Sequence, residues 1–115
     1  MFDLARSGGS SLAGYVDAGV PVGLTDAAGN TLLMLAAYHG HAELVHALLR
    51  RGADANIAND RGQTPLAGAV FKGELDVVRA LVAGGADPAA GTPSALAAAQ
   101  LFERADLLAI LRGDA

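Results

Sequence analysis

His39, His41 and His46 are the chain's three histidines, and they lie close together. Imidazoles grouped this way are the usual beginning of a zinc site. No carboxylate stands at supporting spacing, and there is no cysteine to supply a thiolate, so neither a metal nor a cofactor is expected. Nine Asp and three Glu offer no convincing acid–base pair. Asp54 and Asp87 recur at corresponding places, and a catalytic group is seldom needed twice at one spacing. Ser10 and Ser11, the candidate nucleophiles, sit in the flexible run Ser7-Gly8-Gly9-Ser10-Ser11. The chain has no G-x-S-x-G elbow, no G-x-x-x-x-G-K-[ST] loop and no G-x-G-x-x-G turn, and Gly8-Gly9 is too little to cradle a phosphate. Catalysis is therefore not expected.

Recognition chemistry is better represented. Of the five aromatic residues, Phe2 and Tyr15 read as core. The other three stand in Tyr38-His39, Phe71-Lys72 and Leu101-Phe102, each pair following an alanine-containing apolar run. The formal charge of −4 and the scattering of eight basic residues, with Arg50-Arg51 the one adjacent pair, disfavour nucleic acid as partner. The positive mean hydropathy of +0.35 comes from alanine and leucine. The longest uncharged run, Pro88 to Phe102, is interrupted by Gly91 and Pro93, so no membrane span is expected. No basic region followed by an apolar one begins the chain, and cysteine is absent; both features suggest a cytoplasmic protein. Seven of the eight basic residues are Arg, which, with the excess of alanine and glycine, suggests a GC-rich, bacterial coding sequence.

The elements that must position these residues come from a repeat. A step of 33 residues carries Asp26 to Asn59, Thr31 to Thr64, Leu33 to Leu66, Ala36 to Ala69, Gly40 to Gly73, Val45 to Val78 and Leu48 to Leu81. It also carries Gly52-Ala53-Asp54 to Gly85-Ala86-Asp87. Units of this kind cannot bury an apolar face alone and must stack. Thr31 and Thr64 precede apolar runs, where a hydroxyl can cap a helix, and Pro65 follows at a first helical position that needs no N–H. First helices are expected from about Leu32 to Tyr38 and from about Pro65 to Phe71. Second helices carry Leu44, Val45, Leu48 and Leu49, then Val77, Val78, Leu81 and Val82, a helical stripe. Gly52 and Gly85 stand just past these helices, where a left-handed residue is wanted. Gly68, inside a first helix, should weaken it by about 1 kcal/mol relative to alanine.

The motif resembles the ankyrin family. Asp26, Gly29, Thr31, Leu33, Ala36, Ala37, Gly40, His41, Val45, Leu48, Leu49, Gly52, Ala53, Asp54 and Asn56 match one unit; Gly62, Thr64, Pro65, Leu66, Ala69, Gly73, Val78, Leu81, Gly85, Ala86 and Asp87 match the next. After Asp87 the pattern returns if about three residues are dropped, with Ser94, Leu96, Ala99, Leu107, Leu108, Ile110 and Leu111 in place. At the front, Leu12, Tyr15, Val16 and Gly19 fit second-helix places. The chain divides into a truncated cap (1–25), repeats at 26–58 and 59–90, and a closing cap (91–115), all in one domain. Asp3, Arg6, Ser10 and Asp17 can make one outer face polar; Glu103, Arg104, Asp106, Arg112 and Asp114 can do so at the other.

The resemblance implies an all-α solenoid of stacked antiparallel helix pairs with projecting β-turn loops. It implies a protein partner held by the turn tips, Ala27, Ala28, Asn30, Asp60, Arg61 and Gln63, and by the concave face of the first helices, Tyr38, His39, Phe71, Lys72, Leu101 and Phe102. The same step should bring Tyr38 over Phe71. His41 falls where the family carries histidine for structural reasons. A monomer or weak homo-oligomer is expected, with self-association through the same apolar face as the alternative. The chain departs from the family at Met34 and Ala67, which replace a histidine that ties neighbouring turns by hydrogen bonds, so the turns are expected to be less firmly held.

Overall fold

The computed structural model describes residues 2–9 and 11–113. Among them are helices α1 (Phe2–Ser7), α2 (Ser11–Asp17), α3 (Leu32–Tyr38), α4 (Ala42–Arg50), α5 (Pro65–Lys72), α6 (Leu75–Ala83), α7 (Ala95–Leu101) and α8 (Ala105–Leu111). They form four antiparallel pairs. The first helices stack in the order α1, α3, α5, α7, and the second helices in the order α2, α4, α6, α8. Among the described residues there is no strand, only isolated bridges at Thr25–Thr31 and Gly91–Ser94. The longest dimension is 41 Å, about what four helix pairs require at interaxial spacings of roughly 8–10 Å.

Local chemistry starts α3, α5 and α7 in the same way. Thr31, Thr64 and Ser94 have extended backbones, and their hydroxyls accept from the N–H groups of Met34, Ala67 and Ala97 at 3.0, 3.2 and 3.1 Å. Each satisfies a backbone donor that the helix leaves without a partner. Gly52 and Gly85 follow the second helices with φ of 89° and 92°, a region that costs a side-chain-bearing residue roughly 1–2 kcal/mol.

The core runs the length of the stack, between the two layers of helices. Leu33, Ala36, Leu66, Ala69 and Ala99 of the first helices meet Val45, Leu48, Val78, Leu81 and Leu107 of the second, all essentially without solvent exposure. Gly68 is part of this packing. A Cβ there would lie 2.9 Å from Met34 Cε and 3.4 Å from Tyr38 Cδ1. Its weak helix propensity is thus exchanged for close approach of the preceding helix, and Met34 fills the space.

The N-terminal end differs from expectation. The N-terminal cap has a first helix of its own, α1, which buries Ala5 and packs on α3; the glycine- and serine-rich segment beside it hid this helix. Phe2 is half-buried against the core, but Tyr15, expected in it, is 47% exposed. On the seven-residue α2, Leu12 and Val16 are four apart and face inward, which turns Tyr15 outward. Asp17 and Arg51 hold this cap to the next pair in a two-point ion pair, Nε–Oδ1 2.9 Å and Nη2–Oδ2 3.1 Å. The Arg51 hydrogen bonds keep the Asp17 carboxyl below the usual carboxylate range. At the other end Arg104 pairs with Asp106 at 2.9 Å in the open, where such pairs are worth little. Ser10 and Asp114, named above for the polar outer faces, lie outside the described residues.

Candidate functional site

The projecting turns between helix pairs are built by side chains acting on their own backbone. Asp26 Oδ1 accepts from the N–H groups of Ala28 (3.0 Å) and Asn30 (2.9 Å). One repeat later, Asn59 Oδ1 accepts from Arg61 and Gln63, both at 3.0 Å. A carboxylate and an amide oxygen thus do the same task at matched places. The hydrogen bonds from Asn30 and Ala28, with the nearby Arg6 charge, hold the Asp26 carboxyl below its ordinary value. Asp54 and Asp87 act likewise after the second helices, accepting from Asn56 and Ala89 at 2.9 Å. That is the structural task their repetition suggested.

Neighbouring turns are joined by hydrogen bonds that do not involve the missing histidine. Asn59 Nδ2 donates to Asn30 Oδ1 at 2.9 Å, and the Asp60 N–H donates to the Ala28 carbonyl at 3.0 Å. The Thr92 N–H donates to the Gly62 carbonyl at 2.9 Å. An amide–amide bond and two backbone bonds thus join neighbouring turns where Met34 and Ala67 supply no histidine.

The turns and first helices together line two neighbouring clefts. One, of about 380 Å³, is bounded by Ala28, Asn30, Tyr38, His39, Asp60, Arg61 and Gln63, with Arg6, Met34, Leu35 and Asn59 completing it. The other, of about 300 Å³, lies between Tyr38 and Phe71 and is closed by Arg61, Gln63, Ala67, Thr92, Pro93 and Ala98. Eight of the twelve residues expected to meet a partner thus line one or both clefts. Of the other four, Ala27 is exposed on the turn beside them. Lys72 places its Nζ 5.1 Å from the centre of the Tyr38 ring. Leu101 and Phe102 extend the face towards the last pair, 77% and 44% exposed. The Phe71 ring, itself 57% exposed, meets Phe102 edge-on at 5.4 Å. The ring contact therefore joins Phe71 to Phe102, while Tyr38 meets Lys72 and, edge-on at 5.5 Å, His39. The expected superposition of Tyr38 on Phe71 takes the form of two walls of one cleft.

Met34, Leu35, Ala67, Pro93 and Ala98 were not among the expected contact residues. Of these, Met34, Leu35, Ala67 and Ala98 are buried and form the floors of the clefts, while Pro93 is exposed on the turn.

The histidines part company. The His41 Nε2–H donates to the Arg6 carbonyl at 2.6 Å and joins α4 to the N-terminal cap. His39 belongs to the concave face, and His46 lies on the opposite side, facing a shallow depression between α4 and α2. Among the described residues no cluster of His, Asp or Glu could hold a metal ion.

A family model described as ankyrin repeats in three copies matches residues 3–92. The chain belongs to the ankyrin-repeat family. Ankyrin repeats are a non-catalytic fold and generally serve as protein–protein interaction modules. The chain is 51% identical over 57 residues to the rat ankyrin repeat and SAM domain-containing protein 6, a match covering 48% of this chain and 6% of the relative. It is 50% identical over 46 residues to a putative ankyrin repeat protein of Pseudomonas aeruginosa, covering 39% and 27%. The mouse ankyrin repeat and SAM domain-containing protein 6 is 53% identical over 47 residues, covering 41% and 5%. The matches thus span less than a third of each relative's own length. No described helix is long and apolar enough to cross a membrane.

Proposed function

We propose that this ankyrin-repeat chain binds a protein partner through its turn tips and the concave face of its first helices. The observation that carries the proposal is the exposure of Phe71, Leu101 and Phe102 in a row beside two clefts whose rims are the polar turns. Aromatic side chains at the edge of a pocket, ringed by polar groups, are the usual anchors of protein interfaces. Apolar residues in a continuous patch on a surface signal an interaction site. Ala27, Ala28, Asn30, Asp60, Arg61 and Gln63 would set specificity, and Tyr38, His39, Phe71, Lys72, Leu101 and Phe102 would supply contact area. The units at 26–58 and 59–90 provide most of this surface. The absence of cysteine supports a cytoplasmic setting for such a module, and arginine-rich, alanine-rich composition supports a bacterial source.

The test is a Tyr38→Ala/Phe71→Ala double variant assayed for helical content and for partner capture from the native host. A folded variant that no longer captures the partner is the expected result; unchanged capture would rule this face out. The second reading is self-association, favoured by the strong exposure of Leu101 at the C-terminal end of the same face. Sedimentation over a range of concentrations distinguishes it, because a concentration-independent monomer excludes it.

A further inference from the structure

We propose that the cleft between Tyr38 and Phe71 accepts an apolar side chain of an extended partner segment, with Arg61 and Lys72 pairing with an Asp or Glu side chain next to it. This inference rests on the protein-binding reading of the concave face and specifies the chemistry that face selects. The walls are largely apolar: Phe71, Ala67, Pro93, Ala98 and the Tyr38 ring, with Gln63 and Thr92 beside them, line an open cleft of about 300 Å³, at the small end of ligand-sized pockets and enough for a branched or aromatic side chain. The charge is one-sided. Arg61 is the sole ionised group on the lining, and Lys72, outside the lining, stands over the Tyr38 ring.

Neither cation is paired with a described carboxylate, although Lys72 lies over the Tyr38 ring. Among the described residues the Arg61 guanidinium and the Lys72 ammonium have no carboxylate within ion-pair distance and donate no hydrogen bond. The other arginine at the groove, Arg6, is already engaged by Asp3 at 2.9 Å and Asp26 at 3.6 Å. Asp60 borders only the neighbouring cleft. In a chain of net charge −4, the cleft therefore has one unpaired positive charge on its lining and a second beside its Tyr38 wall. An acidic side chain beside an apolar one complements both features, and a basic segment would meet repulsion at the point of closest approach. The pairing should weaken with added salt, since both cations are exposed.

The experiment uses random peptides displayed on phage, selected against the purified chain and then synthesised. Selected sequences are expected to place Asp or Glu next to an apolar residue. Binding should be lost in Phe71→Ala, which is more than half exposed and should keep its fold by circular dichroism. It should weaken by about tenfold in Arg61→Glu/Lys72→Glu, which should in turn prefer the same peptide with Lys in place of the acid. Peptides that need Phe71 but show no acidic preference, or bind the charge-reversed chain equally well, would overturn this inference while leaving the groove as the site. Peptides that bind a folded Tyr38→Ala/Phe71→Ala chain unchanged would instead overturn the protein-binding reading of the face. Equal or tighter binding of a single-stranded oligothymidine that displaces the peptides, or failure to select any peptide, would also overturn the inference.

Discussion

The two middle helix pairs and the last pair solve the same structural problem with different materials. In the middle, α3 with α4 and α5 with α6 have neighbours on both sides, and their projecting turns are bridged at matched places by Asp26 and Asn59. In the last pair, α7 and α8 are covered on one side only. Its turn is shorter and has no counterpart to the Asp26 and Asn59 side-chain bridges; the Thr92 N–H reaches Gly62 instead. Glu103 stands where the middle pairs have Gly40 and Gly73, and it adopts φ of 54°. The helix caps are kept in all three pairs. The difference teaches that what a unit needs in order to start its helices is local and invariant, while what it needs in order to stack depends on having a neighbour.

The strongest way to break this comparison is in the core. Leu48→Ala and Leu81→Ala should each cost roughly 2–5 kcal/mol, because both side chains are fully enclosed between neighbouring pairs. Leu111→Ala, on the outermost helix, should fall at or below the lower end of that range. Urea denaturation measures all three. A loss below about half a kcal/mol at Leu48 and Leu81 would mean that the assigned stacking is wrong.

The caps should behave alike across the two regions. Thr64→Ala should destabilise by about 1–2 kcal/mol and Ser94→Ala by about 0.5–1 kcal/mol, the first being the more buried. Thermal unfolding of the two variants checks the order. Next comes the backbone. Gly73 has φ of 70°, so Gly73→Ala should lose about 1 kcal/mol, whereas Glu103→Gly should gain up to about 1 kcal/mol by relieving the same conformation. A destabilised Glu103→Gly chain would show that the Glu103 side chain contributes more than its backbone costs.

The smallest effect concerns acid. Asp26 has a carboxyl held below its ordinary value of 3.8 in the folded chain, first by the Asn30 N–H. A depressed folded value means that its contribution is complete above about pH 4 and is lost as pH falls through the lower folded value. Asn59 performs the matching task without titrating. Asp26→Asn should therefore keep the turn and flatten the acid limb of stability, measured by denaturation between about pH 5 and pH 2. An unchanged acid limb would mean that Asp17 and Asp106, whose carboxyls are also held low by Arg51 and Arg104, account for it.

Much of the fold was legible because its determinants are local and occur twice. The Thr31 and Thr64 caps, the Leu48 and Leu81 stripe and the Gly52 and Gly85 stops each announce themselves by residue type, and the 33-residue step places them in register. Repetition made even single residues interpretable: Asp54 and Asp87 could be read as structural before any contact was known. The helix at Phe2–Ser7 escaped notice because six residues beside a glycine- and serine-rich segment, without a partner copy, have no period to reveal them.

What the sequence could not decide was everything that depends on neighbours. Whether Tyr15 points inward is set by which face of a two-turn helix meets α4, and both faces offer apolar residues. Whether Gly68 is a weakness or a fit depends on Met34, a side chain of the preceding unit. The turns hold without the family histidine because Asn30 and Asn59, 29 residues apart, come within hydrogen-bonding distance only after stacking. The cleft between Tyr38 and Phe71, with Arg61 at its rim, arises in the same way from three segments that no local rule relates. Helix starts and stops are set by bonds within a few residues and can be read along the chain; surfaces are set by distances between chain segments, which only the packed structure fixes.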